Sequence, residues 1–181
     1  GSQDTFLTAV VNESGRGNKP RLTDAAGIDK LKAEGWTVAY RGTTDAKYNE
    51  QFRSGAFHAG SGLYGNGVYV APEAPHAGCA PAWAAAIARS YTGGTGTGGR
   101  MAIPPTAKMV DEQDLLREQD KAVSDLLGDD KIKSRSELVR LREIYRDPGR
   151  FAALRNYDGI RVPSGTILLN RSMLVVQEGD V

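Results

Sequence analysis

The part of the sequence best suited to ligand chemistry is a glycine-rich run over residues 60–71, which reads Gly-Ser-Gly-Leu-Tyr-Gly-Asn-Gly-Val-Tyr-Val-Ala. Four glycines in eight residues cost backbone entropy, and such runs occur where a chain turns tightly or lets a ligand touch the main chain. The run is not a Walker A loop, because it lacks Gly-Lys-Ser/Thr and its glycines precede a predicted strand. A plain hairpin that turns at Asn66-Gly67 is the alternative.

Short strands and interspersed helices surround this run. The apolar pattern predicts strands at 36–40, 67–71, 101–103, 108–110, 160–162, 167–169 and 173–176. It predicts helices from Asp24 to Gly35 and at 82–91, 111–127 and 134–145. The glycine-rich segment 93–99 is expected to be a mobile loop. Because strands and helices do not alternate regularly, the pattern favours an α+β fold over a doubly wound parallel sheet.

Length and composition favour one soluble domain. The 181 residues are 40% hydrophobic and 25% charged, and we divide them into an N-terminal helical and loop segment at 1–35 and a core at 36–181. A net charge of +1 gives no global basic field. One cysteine and two histidines supply neither an intramolecular disulfide nor a zinc cage. The sequence shows no membrane span and no secretion signal, so we expect no membrane partner and a cytoplasmic location.

At this point the sequence resembles a known family. Residues 64–71 resemble the glycine-glycine-tyrosine strand of the ADP-ribosyltransferase superfamily, especially the branch related to diphtheria toxin and the poly-ADP-ribose polymerases. Residues 38–42, Val-Ala-Tyr-Arg-Gly, are similar to the first NAD-contacting strand, with arginine where the polymerases carry histidine. The later segments that fall in the expected order are 84–91, 100–116, 157–160 and 166–176. The resemblance implies a split β-sheet core, nearest to domains attached to phage head proteins and bacterial polymorphic toxins.

The resemblance also implies a binding site for NAD, which is a substrate here and needs no metal. Arg41 would hold the diphosphate with its planar fork, and Gly42 would let main-chain groups pair with the nicotinamide amide. Tyr69 would stack on the nicotinamide ring, and Tyr91 would close the other side. A surface ion pair for Arg41 and ordinary packing for the tyrosines remain alternatives. The complete set of expected NAD contacts is Arg41, Gly42, Thr43, Tyr64, Gly65, Asn66, Gly67, Tyr69 and Tyr91.

The third catalytic position departs from the family. Where these enzymes carry glutamate at the start of a late strand, the apolar pattern places Thr166. A hydroxyl can hydrogen-bond to ribose but is not a general base at neutral pH. The expected catalytic residues are therefore Arg41, Tyr69 and Thr166, with Asp158 and Glu178 as other carboxylates near the end of the chain.

The predicted function is mono-ADP-ribosyl transfer, because a threonine in the glutamate position argues against polymer elongation. The acceptor would be a macromolecule, protein or nucleic acid, and the enzyme a phage- or toxin-derived effector. An NAD glycohydrolase and a non-catalytic NAD-binding or interaction module are the alternatives. The oligomeric state stays open. Basic residues that could meet an acceptor interleave with acidic ones, which favours a solvated helix face: Lys131, Lys133, Arg135, Arg140, Arg142 and Arg146.

Overall fold

The structure is a computed structural model that describes residues 19–55, 67–73, 97–128, 134–163 and 165–181, together with Ala86. Over these residues the fold is α+β, as predicted. The strands are β1 (Arg21–Thr23), β2 (Thr37–Thr43), β3 (Val68–Pro72), β4 (Thr97–Ile103), β5 (Met109–Asp111), β6 (Gly159–Val162), β7 (Gly165–Leu168) and β8 (Val175–Gln177). The helices are α1 (Ala25–Ala33), α2 (Ala46–Ser54), α3 (Glu112–Leu127), α4 (Arg135–Arg146) and α5 (Pro148–Leu154), with a 3₁₀ turn at Arg171–Met173.

The eight strands form one mixed sheet in the order β1-β8-β4-β2-β3-β7-β6-β5. The two outer pairs, β1 with β8 and β5 with β6, are parallel, and the pairs between them are antiparallel. Within the described residues, β1 thus belongs to the same sheet as the later strands, and α1 packs against that sheet. The mixed order agrees with the prediction against a doubly wound parallel sheet.

The sheet has two faces, which we call face A and face B. Face A carries Ala39 and Val70, and α2 packs on it through Phe52. Face B carries Tyr40 and Ala71, and α1 covers that part of it through Ile28. Further along face B, α3 and α5 bury the other end of the sheet in a cluster formed by Val110, Leu115, Ala122, Phe151, Ala152, Ile160 and Ile167. Side chains alternate between the faces along each strand, so the pairing register fixes which residues share a face.

Several predicted elements are confirmed at close to their predicted bounds. Asp24 caps α1, because its Oδ1 accepts a hydrogen bond of 2.8 Å from the amide of Gly27. The strand predicted at 36–40 continues to Thr43 as β2. Two short elements, β1 and α5, were not predicted. The helix predicted at 82–91 lies outside the described residues except for Ala86, which is helical.

The prediction of a loop over 93–99 is wrong for its last three residues. Thr97, Gly98 and Gly99 begin β4, where they pair with Thr43, Gly42 and Arg41 of β2. Gly99 also has to be small, since a Cβ built on it would lie 3.2 Å from Oδ1 of Asn49 on α2. The glycine content predicted a loop, but in the structure the missing side chain of Gly99 allows α2 to approach β4 closely.

Gly165 tests the pairing of β3 with β7. A Cβ at this position would lie 2.6 Å from the carbonyl oxygen of Val70 and 2.9 Å from the hydroxyl of Tyr69. We expect Gly165→Ala to lower the free energy of unfolding by about 1–3 kcal/mol, because β7 has to move away from β3. Gly179→Ala is the matched control, since nothing lies within 4 Å of its added Cβ. Urea denaturation measures both, and equal stabilities of the two variants would contradict the close packing.

Candidate functional site

The central strand β3 changes partner partway along its length. Ala71 and Pro72 pair with Tyr40 and Ala39 of β2, whereas Val68, Tyr69 and Val70 pair with β7. No pairing joins the described residues 41–43 to residues 68–70. We call these two facing segments the fork. If the register between β2 and β3 continued past its last pair, Arg41 would lie opposite Val70 and Gly42 opposite Tyr69.

Arg41 lies at the fork on face A, against α2. Its Nη1 donates to the carbonyl oxygen of Tyr48 at 3.3 Å and, at the long distance of 3.5 Å, to Oδ1 of Asn49. Its guanidinium carbon lies 5.1 Å from the centre of the Phe52 ring. Burial lowers the pKa of Arg41, because its charge is partly removed from water. Among the described residues no carboxylate pairs with it, so its hydrogen-bond acceptors within this part of the chain are neutral.

A second arginine, which the sequence did not single out, reaches the same ring. Arg171 begins the 3₁₀ turn after β7 and is 9% exposed, and its guanidinium carbon lies 5.3 Å from the centre of Phe52. Burial, with the nearby charge of Arg41 as a smaller cause, lowers the pKa of Arg171 to about 10. Both arginines are therefore cationic at neutral pH. Arg171 stands between two apolar runs in the sequence, and only the tertiary fold brings it to Arg41.

Asn49 links Arg41 to a separate ion pair. It is 2% exposed, and its Nδ2 donates to Oδ1 of Asp180 at 3.3 Å. The same carboxylate pairs with Arg53, whose Nε also donates to the carbonyl oxygen of Gln177 at 2.9 Å. These contacts hold the amide group of Asn49 with its oxygen toward Arg41. Asp180 thus compensates Arg53 on α2, while Arg41 receives only neutral acceptors.

Tyr69 lies on face B, away from Arg41. It packs beside Ile167 against the cluster formed with α3 and α5, and its hydroxyl lies next to Gly165. Gly42 lies on face B as well, because neighbouring positions of a strand alternate between the faces. If the register of β2 and β3 continued past its last pair, the main chain of Gly42 would lie opposite Tyr69. The predicted catalytic residues are therefore divided between the two sides of the fork, because neighbouring positions of a strand point to opposite faces.

Thr166 shares face A with Arg41. It pairs with Val70, and Val70 would lie opposite Arg41 if the register of β2 and β3 continued. Arg41 and Thr166 therefore lie on the same face on the two sides of the fork. Thr166 is 5% exposed, so its side chain is buried in the sheet on this face.

The two carboxylates named as other possibilities differ in their surroundings. Both oxygens of Asp158 already accept hydrogen bonds, one from the amide of Lys108 at 2.8 Å and one from Nδ2 of Asn170 at 3.0 Å. Glu178 is exposed, follows β8 and lies three strands away from β3 in the sheet. Asp158 thus holds the loop before β6, and Glu178 lies away from the fork.

The remaining predicted contacts are only partly described. Thr43 is buried at the end of β2 on face A, and Gly67 immediately precedes β3. Tyr64, Gly65, Asn66 and Tyr91 lie outside the described residues, as do Lys131 and Lys133.

A buried polar cluster on face B was also missed by the sequence reading. Glu73, 5% exposed, pairs with Lys32 of α1, and Arg100 of β4 pairs with Asp29 at 2.5 Å. Tyr40 lies between these pairs and forms a hydrogen bond with Arg100. Burial is the main cause that raises the pKa of Tyr40, and the charge of Glu73 is the second. These contacts join α1 to the sheet. Unlike Arg41, each cation here has a carboxylate partner.

The raised pKa of Tyr40 predicts a pH-dependent contribution to stability. The unfolded chain releases this proton near pH 10, before the folded chain does, so the stability from Tyr40 is present below about pH 10 and falls as the pH rises further. We expect Tyr40→Phe to be less stable than the parent by about 1 kcal/mol at pH 8. The difference should shrink toward pH 11.

Thermal unfolding from pH 8 to pH 11 measures that difference. Tyr48→Phe is the control, because Tyr48 is 42% exposed. A gap between parent and Tyr40→Phe that stays constant or widens with pH would contradict the burial of a neutral hydroxyl at this position.

In comparisons with known proteins, no family model, curated protein or solved structure matches the chain. Within the part of the chain that the structure describes, no helix is long and apolar enough to cross a membrane. The same residues contain no group of three or more histidine, cysteine, aspartate or glutamate side chains placed to hold a metal ion.

Proposed function

We propose that this protein is a mono-ADP-ribosyltransferase that transfers ADP-ribose from NAD to a macromolecular acceptor and releases nicotinamide. The observation that carries the proposal is the half-buried guanidinium of Arg41, which has no carboxylate partner among the described residues and lies at the point where β2 and β3 part. A partly buried cation without a carboxylate partner favours an anionic ligand, and the diphosphate of NAD is such a group. The resemblance of residues 38–42 and 64–71 to the ADP-ribosyltransferase superfamily supplies the identity of that ligand.

The two sides of the fork suit the two halves of NAD. On face A, Arg41 would contact the diphosphate and the Thr166 hydroxyl would hydrogen-bond to a ribose. On face B, Gly42 has no side chain to shield its main chain, and Tyr69 would form the aromatic wall against nicotinamide. Stacking on such a wall contributes about 0.5–1.5 kcal/mol beyond burial, which is enough to orient the ring. NAD would therefore have to pass through the opening between the two strands.

The reaction breaks the bond between nicotinamide and ribose. Nicotinamide leaves with the electron pair, positive charge develops on the ribose, and a nucleophile of the acceptor forms the new bond to the same carbon. The proton of that nucleophile goes to solvent or to the acceptor, because Thr166 is no general base. An oriented hydroxyl still stabilises the developing charge through a hydrogen bond. This chemistry permits one transfer and gives no support to polymer elongation.

Two other outcomes use the same site. In an NAD glycohydrolase, water takes the place of the acceptor. A module that binds NAD without turnover is favoured by the hydrogen bonds of Asp158, because both of its carboxylate oxygens are already engaged and the resemblance assigns a threonine, Thr166, to the glutamate position. From the motif resemblance we also propose a phage- or toxin-derived effector that acts in the cytoplasm of a host or target cell. The acceptor can be protein or nucleic acid.

The first test is incubation with NAD labelled in its adenylate part, in the presence of cell lysate. We expect nicotinamide release together with label on macromolecules, and digestion by nuclease or protease identifies the acceptor class. Release without retained label would replace the transferase by a glycohydrolase. Binding without release would leave an NAD-binding module, and the absence of both would contradict the proposed function.

Arg41→Ala tests the residue that carries the proposal. Loss of a hydrogen bond to a charged group is worth about 1.5–3 kcal/mol, so NAD affinity should fall about 10- to 100-fold. Arg41→Lys should lose part of that affinity, because an ammonium keeps the charge but not the planar fork. Arg117→Ala is the control, since Arg117 is exposed and pairs with Asp114 on α3. Isothermal titration with NAD measures the affinities, and equal values for Arg41→Ala and the parent would refute the site assignment.

Thr166→Val separates a catalytic hydroxyl from a packing residue. The substitution keeps the shape of the side chain and removes its hydrogen-bonding oxygen. We expect nicotinamide release to slow about 10-fold with little change in NAD affinity, because the lost bond strengthens only as charge develops on ribose. Thr166→Ser, which restores a hydroxyl, should recover most of the rate. Unchanged turnover in Thr166→Val would mean that Thr166 only packs.

A further inference from the structure

Two arginines from distant parts of the chain, Arg41 half-buried and Arg171 buried, lie against one aromatic ring. Arg41 comes from β2 and Arg171 from the 3₁₀ turn, and their guanidinium carbons lie 5.1 Å and 5.3 Å from the centre of Phe52. The two carbons are therefore at most about 10 Å apart, within the range at which charges interact in a partly buried environment. The site presents two positive charges on one side of the sheet.

The position of Arg41 costs the protein free energy when no ligand is bound. Removing a cation from water costs free energy, and a second cation nearby adds repulsion. Arg53 on the same helix shows how the chain otherwise compensates such a charge, because it pairs with Asp180. For Arg41 the described residues offer only a carbonyl oxygen and an amide oxygen. A ligand with negative charge would supply Arg41 with the carboxylate-like partner that it lacks among the described residues.

We infer that Arg171 is the second cation of a diphosphate-binding site that it forms with Arg41, and that this site selects ligands with two linked phosphates over ligands with one. Ligands of this class are nucleoside diphosphates, dinucleotides and inorganic pyrophosphate. The inference rests on the proposed function where it names NAD as the natural ligand, whereas the selection for two phosphates follows from the arginine pair itself. Arg41 and Arg171 would each contact one phosphate, and Phe52 would hold the two planar groups at a fixed spacing.

The Phe52 ring and Asn49 position the pair. A guanidinium over the face of an aromatic ring gains cation–π attraction and loses part of its freedom to turn. Asn49, oriented by Asp180, accepts from the Nη1 of Arg41 and limits the rotation of that side chain. A preorganised pair of donors binds a diphosphate with less loss of entropy than two free arginines would.

Isothermal titration with four probes tests the inference: inorganic phosphate, inorganic pyrophosphate, AMP and ADP. The parent should bind pyrophosphate at least about 10-fold more tightly than phosphate, and ADP more tightly than AMP by a similar factor, because only the longer anion reaches both cations. Arg171→Met should lose most of that preference and bind pyrophosphate about 10- to 100-fold more weakly, with a smaller effect on phosphate. Arg171→Lys, which keeps the charge, should retain part of the preference. Arg161→Met is the matched control, because Arg161 is 58% exposed in its side chain and pairs with Asp111 at the edge of the sheet.

The outcomes separate this inference from the proposed function. Equal affinity of the parent for phosphate and pyrophosphate would overturn the inference, as would pyrophosphate binding that Arg171→Met and Arg171→Lys leave unchanged. NAD turnover that persists in those cases would leave the proposed function standing. The opposite result is that pyrophosphate binding depends on both arginines but the protein neither binds NAD nor releases nicotinamide. That result would support the diphosphate site and contradict the ADP-ribosyltransferase proposal. Circular dichroism confirms that each variant is folded, and the comparison of probes on the parent needs no variant at all.

Discussion

The change of partner within β3 is the constraint on which the rest of the candidate site depends. If β3 paired with β2 along its whole length, Arg41, Gly42 and Thr43 would be covered by Val68, Tyr69 and Val70. Instead β3 uses those three residues to pair with β7. One strand therefore joins the two parts of the sheet and forms the fork between β2 and β3. At the fork, the described residues of these two strands do not share the main-chain hydrogen bonds that join neighbouring strands elsewhere in the sheet.

Glycines allow side chains to pack closely around the fork. Gly99, next to Arg41 in the register of β2 and β4, lets Asn49 of α2 come close to the sheet. Gly165 in β7 leaves room for the ring of Tyr69. A larger residue at Gly165 would clash with the main chain of β3, whereas a larger residue at Gly99 would require a small shift of the Asn49 side chain. The high glycine content of the chain thus contributes to packing at the site as well as to turns.

The sequence allowed prediction of most strands and of the helix capped at Asp24, because their signals are local. Arg41, Tyr69 and Thr166 could be named from motif and order alone. That these three residues lie on two different faces of the sheet could not be predicted, because this depends on the pairing register of β2, β3 and β7. Arg171 was missed for the same reason: its approach to Phe52 joins positions more than one hundred residues apart, and nothing in its neighbouring residues marks it. Thr97 to Gly99 were misassigned because glycine composition indicates a loop unless a partner strand is known.

The cations packed against the sheet fall into two groups, those with a carboxylate partner and Arg41, and this difference separates stability from ligand binding. On face B, Lys32 pairs with Glu73 and Arg100 with Asp29, so the charges between α1 and the sheet are balanced within the protein. On face A, the pair of Arg53 with Asp180 is balanced in the same way, but the neighbouring Arg41 is not. Removing the partner of a buried charge such as Glu73 or Arg53 leaves that charge uncompensated and destabilises the fold, whereas adding an anion beside Arg41 relieves an existing cost. A ligand that carries negative charge therefore gains more free energy at Arg41 than at any of the balanced pairs described, even though all of these cations lie within the same sheet assembly.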